Sequence, residues 1–225
     1  MKKLFALIAS VLLSMNVDAQ TTTLKVESFR MGIGEQKTIT LDLNNSDLTD
    51  AAAFCCDIVL PDGVEIAANE EGTYQFSVSD KDSRSTSSDL VIASAEQSDG
   101  AVRVVCFPKD ASAFAGTSGA ILNIPLVASE DLTKGTVEVS IASQEITNTT
   151  GLSIVKPEAS SADLTTFIRS DANDDGKINI TDVTTIASYL LGDVPEVFFE
   201  DSADANKDGK INITDVTTVA GKLLE

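Results

Sequence analysis

Between Thr22 and about Pro157, apolar positions recur every second residue in short runs broken by turns. Lys37-Thr-Ile-Thr-Leu-Asp-Leu alternates strictly and sets Ile39, Leu41 and Leu43 on one face. Phe54-Cys-Cys-Asp-Ile-Val-Leu continues the pattern, with Phe54, Cys56, Ile58 and Leu60 inward and Asp57 outward. Tyr74–Val78, Leu90–Ser94, Val102–Phe107, Ile121–Val127, Thr136–Ala142 and Leu152–Val155 read as further strands. Pro61-Asp-Gly, Asp99-Gly, Thr117-Ser-Gly and Lys134-Gly punctuate them. Many short alternating strands with such turns predict an all-β sandwich, and about 140 residues suffice to bury its core. Residues 158–166 are small and polar after Pro157 and read as a flexible linker. Beyond them the period changes. Val183, Ile186, Ala187 and Leu190, then Val216, Val219, Ala220 and Leu223, recur at helical spacing. Each run predicts a short helix with a small, mostly hydroxyl-bearing outer face.

These two helices belong to a repeat. Asp171–Leu191 returns as Asp204–Leu224, with seventeen of twenty-one positions identical, so one structural unit is used twice. Each copy opens on Asp-x-Asn-x-Asp-Gly-x-Ile-Asn-Ile-Thr-Asp. Oxygen side chains thus fall at loop positions 1, 3, 5, 9 and 12, with Gly176 or Gly209 at position 6. Calcium takes 6–8 oxygen ligands, and a loop of this length wraps one ion by offering alternate side chains. The candidate ligands are Asp171, Asn173, Asp175, the Lys177 carbonyl, Asn179 through water, and Asp182. The second set is Asp204, Asn206, Asp208, the Lys210 carbonyl, Asn212 and Asp215. The EF-hand signature ends in Glu, whereas both loops here end in Asp. The residues before Asp171 are too few and too irregular for a long entering helix, so each unit reads as a loop plus an exiting helix.

That pair resembles a type I dockerin, which is two such loop–helix units with Asp at position 12. The resemblance covers residues 167–225 and implies two Ca2+ ions and a cohesin domain as partner. It also implies partner contacts at loop positions 10 and 11 and on the outward helix positions: Ile180, Thr181 and Ser188, with Ile213, Thr214 and Gly221. Ile180 and Ile213 suit a dry interface centre or the closing of the module's own core, and the residues leave both open. The near-identity of the copies fits the dual binding mode known for type I dockerins. A second resemblance, to a cohesin-like jelly-roll sandwich related in fold to carbohydrate-binding modules, rests on three stretches. These are the early Thr-Ile-Thr-Leu-Asp-Leu strand, Ala52-Ala-Phe-Cys-Cys-Asp-Ile-Val-Leu-Pro-Asp-Gly-Val-Glu-Ile, and Ala120-Ile-Leu-Asn-Ile-Pro-Leu-Val-Ala. Leu60-Pro61-Asp62 departs from the aromatic–Asp–Pro turn that the family often shows. The expected chain is therefore multidomain: an N-terminal cohesin-like sandwich over 20–157, a linker over 158–166, and a small all-α dockerin.

Charge and composition narrow the function. A net charge of −19 excludes nucleic acid as a natural partner. From Asp171 onward twelve acids face four lysines, a net −8, and two calcium ions would cancel half of it. The chain contains no His, which removes Ser-His and Cys-His catalysis, and the acids of the sandwich carry no hydrolase signature. No Trp offers a sugar platform, and Tyr74, Phe76, Phe107 and Phe114 are the aromatics left for one. Cys56 and Cys106 both point inward and are read either as a disulfide or as free buried thiols. Residues 1–19 have a basic start, an apolar run and Val17-Asp18-Ala19 before the cut, which reads as a bacterial signal peptide. Nothing later is apolar enough to span a bilayer. The expectation is a non-catalytic protein, secreted, on the cell surface or periplasmic, whose dockerin docks the sandwich onto a cohesin-bearing partner in a polysaccharide-degrading or surface assembly. The alternatives are a sandwich that itself binds the dockerin, in cis or head to tail, and a carbohydrate-binding module delivered by the dockerin.

Overall fold

The computed structural model describes residues 22–84 and 89–224; the expected leader lies outside them. Among the described residues twelve strands form two sheets. One has the order β1 (Thr23–Lys25), β3 (Gln36–Asn44), β9 (Ala120–Ala128), β5 (Val64–Ile66), with β6 (Ser77–Val78) also on β9. The other runs β2 (Phe29–Gly32), β12 (Ser160–Phe167), β10 (Gly135–Asn148), β4 (Ala51–Val59), β8 (Val102–Pro108), β7 (Leu90–Glu96), with β11 (Ile154–Val155) also on β10. Alternation explains the layers. Leu41 pairs with Leu122 and Ile39 with Ile124 across β3 and β9. Phe54, Cys56 and Ile58 face them from β4, and all seven belong to one buried core. Roughly 1.5–3 kcal/mol of burial for each such large side chain supplies the driving force.

One expectation changes, one open reading is decided, and one outward residue is more covered than its position suggests. The stretch read as a linker, 158–166, is largely strand: β12 lies between β2 and β10, parallel to the first and antiparallel to the second. Ala162, Leu164 and Thr166 are buried on one face, and small hydroxyl residues disguised that alternation. A cut within 158–166 would remove an interior strand of the larger sheet. Cys56 and Cys106 are free thiols, as is Cys55; burial pushes the Cys106 thiol up to about 12 and raises Cys56 too. Asp57 does lie on the outer face, yet it is only 7% exposed, because Arg103 covers it with paired bonds of 2.7 Å.

That pair predicts a pH dependence. The Arg103 hydrogen bonds hold the Asp57 carboxyl below its ordinary range despite burial. Its contribution is therefore complete above the unfolded carboxylate pKa of about 4 and fades as pH falls through the lower folded value. Asp57→Asn should cost about 1 kcal/mol at pH 7, discounted for the half-exposed Arg103. The difference from wild type should shrink in urea titrations as pH drops below about 4. A gap that stays constant down to pH 2 would refute the assignment.

β10 carries a bulge between Ala142 and Glu145, with Ser143 at φ 48°. The bulge turns Gln144 inward, where it is 2% exposed. Its amide accepts from Leu24 N at 2.7 Å and donates to Leu24 O and Ile141 O at 3.0 Å each. One side chain thus ties β1 of the smaller sheet to β10 of the larger.

Candidate metal centre

After β12 the chain forms three helices: α1 (Ile180–Leu190), the four-residue α2 (Glu200–Ala203), and α3 (Ile213–Lys222). α2 was not foreseen, since four residues give no readable period. α1 and α3 pack together over a buried cluster of only Ala172, Ile186, Ala203, Ala205 and Val219. Phe198 also packs on this cluster and stacks on Tyr189 with ring centres 4.2 Å apart. The other expected inward residues pack less fully: Leu190 and Leu223 are 38% and 37% exposed at the helix ends.

The two loops have matching geometry. Asp171 Oδ1 and Oδ2 accept from the amides of Asp175 and Gly176 at 3.0 and 2.8 Å. Asp204 does the same with Asp208 and Gly209 at 3.1 and 3.0 Å. Gly176 and Gly209 stand at φ 85° and 76°, where a Cβ is disfavoured. The Asp175 and Asp208 carboxylates accept from the amides of Lys177 and Lys210 at 2.9 Å each. Asn173 donates to Asp175 at 3.3 Å and Asn206 to Asp208 at 3.1 Å. Hydrogen bonds thus link positions 1, 3 and 5 within each loop, and the position 12 carboxylate accepts from the backbone amide of position 3 at 3.4 and 3.3 Å.

Positions 9 and 12 also start the helices. Asn179 with Asp182, and Asn212 with Asp215, form capping boxes. The Asn-x-x-Asp spacing could have revealed this in the sequence. A capping box accounts for those four residues and leaves Asp171, Asn173 and Asp175 with their counterparts unexplained. The donor set fits a hard cation. Asp171, Asp182 and Asp215 are fully buried, burial pushes the Asp171 carboxyl up, and the neighbours are amides and carboxylates. No group of three or more His, Cys, Asp or Glu side chains converges among the described residues. The side chains that the two loops offer at positions 1, 3, 5, 9 and 12 are carboxylates and amides, oxygen donors of the kind that a hard cation such as calcium takes in preference to a softer metal.

Residues 169–224 match the family model described as the dockerin type I domain. The C-terminal module is a type I dockerin. The sandwich matches solved cohesin structures. One is the sixth cohesin of scaffoldin B from Acetivibrio cellulolyticus, at 14% identity, covering 65% of this chain and 99% of that one with a TM-score of 0.51. Another belongs to a type I cohesin–dockerin complex from Clostridium thermocellum, at 11% identity, covering 65% and 99% with a TM-score of 0.51. At such identities the likeness establishes a cohesin-like fold. A search of curated proteins finds no match. Dockerin and cohesin-like domains are non-catalytic modules, and type I dockerins bind calcium. Among the described residues no helix is long and apolar enough to cross a membrane.

On the dockerin, Ile180 and Ile213 are 63% and 65% exposed. They do not close its core. Thr181, Thr214 and Gly221 are also exposed, and Ser188 is half-buried. The dockerin meets the sandwich on another side, through residues that sequence reasoning missed. Arg169 Nε and Nη2 both bond the Glu35 carboxylate, while Nη1 donates to Asp201 O and Asp204 O at 2.8 and 2.5 Å. Lys207 Nζ lies 2.9 Å from the same Glu35. Burial alone would raise the Glu35 carboxyl, but the bonds from Arg169 and Lys207 outweigh it and hold it below the usual range. Arg30 lies over the rings of Phe167 and Phe199 at 5.2 and 4.5 Å. Lys134 donates to Asp174 O at 2.6 Å and pairs with its carboxylate at 3.0 Å.

Proposed function

We propose that this is an exported, non-catalytic protein whose dockerin docks the sandwich onto a cohesin-bearing partner, in a polysaccharide-degrading or cell-surface assembly. The loop at Asp171–Asp182 and the loop at Asp204–Asp215 each hold one calcium ion through the oxygens named above. Bound calcium would offset the charge of the inward carboxylates; the capping boxes of Asn179 with Asp182 and of Asn212 with Asp215 start α1 and α3. The observation that carries this reading is the exposed Ile–Thr step in each repeat, Ile180-Thr181 and Ile213-Thr214, at nearly equal exposure. An apolar side chain beside a small hydroxyl, left exposed by the described residues, suits the centre of a protein interface. Ser188 and Gly221 extend each face along its helix.

A second reading has its own support. The outer face of β4, β8 and β7 presents Ala53, Cys55, Val105, Phe107, Val91 and Ala93, half-buried or exposed. A small-residue, apolar sheet face of this kind is a candidate seat for the dockerin of another copy, giving head-to-tail chains. The contacts between sandwich and dockerin within one chain do not use that face, which favours pairing between copies over pairing in cis.

Sedimentation velocity in calcium, together with calorimetry against a panel of isolated type I cohesins, separates the two. A monomer that takes up a cohesin in calcium, but not in chelator and not as Ile180→Asp/Ile213→Asp, supports the first reading. Calcium-dependent growth with concentration, abolished by the same double substitution, supports the second. A calcium-loaded chain that stays monomeric and binds no cohesin would sink both.

A further inference from the structure

Within the twelve loop positions the two repeats differ at one place only, position 4, which is Asp174 in the first and Lys207 in the second. Both residues adopt the left-handed conformation, at φ 60° and 63°, and both are held by the sandwich through the opposite charge. Lys134, before β10, meets Asp174 at 3.0 Å; Glu35, before β3, meets Lys207 at 2.9 Å. Exchanging the repeats would set Lys134 against Lys207 and Glu35 against Asp174, like against like. The seat is built rather than incidental. Glu35 and Arg169 are only 11% and 16% exposed at their side chains. A Cβ on Gly32 would fall 2.3 Å from the Glu35 carboxyl carbon, so that glycine leaves the room the carboxylate occupies. Lys134 also reaches to 3.7 Å from Asp171, the first residue of its loop.

We propose that the end of the sandwich is a keyed seat for the calcium loops, so that calcium binding and the docking of sandwich on dockerin strengthen one another. This rests on the reading that both loops bind calcium. A seat that holds position 4 in its left-handed conformation offsets part of the ordering cost that calcium binding must otherwise meet. By linkage the ion must return the same factor to the contact with the sandwich. The dockerin then presents its Ile–Thr steps at a set angle to the sandwich instead of swinging on a tether.

Calorimetric calcium titration and differential scanning calorimetry of the full chain test this, with wild type compared against Glu35→Gln and Gly32→Ala. The second variant keeps the charge and displaces the carboxylate, whose flexible end can move without unfolding the turn. In wild type, calcium at a hundredfold excess over Kd should raise the melting of the β-sheet signal by about 5 °C. In both variants calcium affinity should fall about fivefold or more, and that rise should shrink. A wild-type sandwich whose melting ignores calcium while the dockerin binds it overturns the coupling alone, as does unchanged calcium affinity in both variants. A wild-type chain that takes up no calcium overturns the reading beneath it, and the proposal with it.

Discussion

Removing calcium from the full chain will abolish the helical circular dichroism of residues 169–224 while the sheet signal persists. The dockerin's buried apolar cluster is five side chains, three of them alanine, with Ile178, Val183, Phe198, Ile211 and Val216 only half-buried against it. That is far too little to order more than fifty residues, each costing about 1–2 kcal/mol of backbone entropy. Against it stand three fully buried carboxylates, Asp171, Asp182 and Asp215. Of these only Asp171 has a lysine within 4 Å among the described residues. A metal that binds the folded loop and not the unfolded chain supplies the missing free energy. Asp182→Ala or Asp215→Ala should weaken calcium binding in its own loop by about two orders of magnitude, since affinity in such loops follows the count of charged ligands. Asp193→Ala, outside both loops, is the control. Helicity that survives excess chelator would refute calcium-dependent folding.

Gln144→Leu should destabilise the sandwich by about 3 kcal/mol, which for a domain of this size lowers the midpoint roughly 6–12 °C. The leucine fits the volume but leaves Leu24 N and Ile141 O without the partners that the glutamine amide supplies at 2.7 and 3.0 Å. Leu24 O keeps its bond from Ser160 Oγ at 2.7 Å, while the longer contacts of the glutamine amide with Thr23 Oγ1, Glu158 O and Ser160 Oγ, at 3.3–3.4 Å, are lost as well. Gln144→Glu separates polarity from geometry: it still accepts from Leu24 N but sets a carboxylate against the Leu24 and Ile141 carbonyls. Thermal melts monitored at the sheet signal give the comparison. A loss below about 1 kcal/mol for Gln144→Leu would mean that β1 finds another partner.

Much of the dockerin was legible because calcium loops are local. All candidate ligands of one ion fall within twelve consecutive residues, and repetition gives two independent readings of the same pattern. The core strands were legible for a similar reason: period-two alternation at Ile39–Leu43 and Phe54–Ile58 needs no knowledge of the partner strand. β12 was not. Of its inward residues only Leu164 is large and apolar; Ala162 is small and Thr166 is polar, so the alternation does not stand out from the neighbours. It is a strand because β2 and β10 flank it and satisfy its backbone from both sides.

The sequence by itself determined the two loops, the helices that leave them, the sandwich class and the inward set of its central strands, since each is written in neighbouring residues. Tertiary structure alone decided that Ile180 and Ile213 face outward, that the cysteines stay free and that Gln144 bridges the sheets. It also decided that Glu35 and Lys134 meet position 4 of the two loops. Those outcomes depend on which distant segments come together. Charge and hydrogen-bond partners far apart in the chain leave no periodic trace along it.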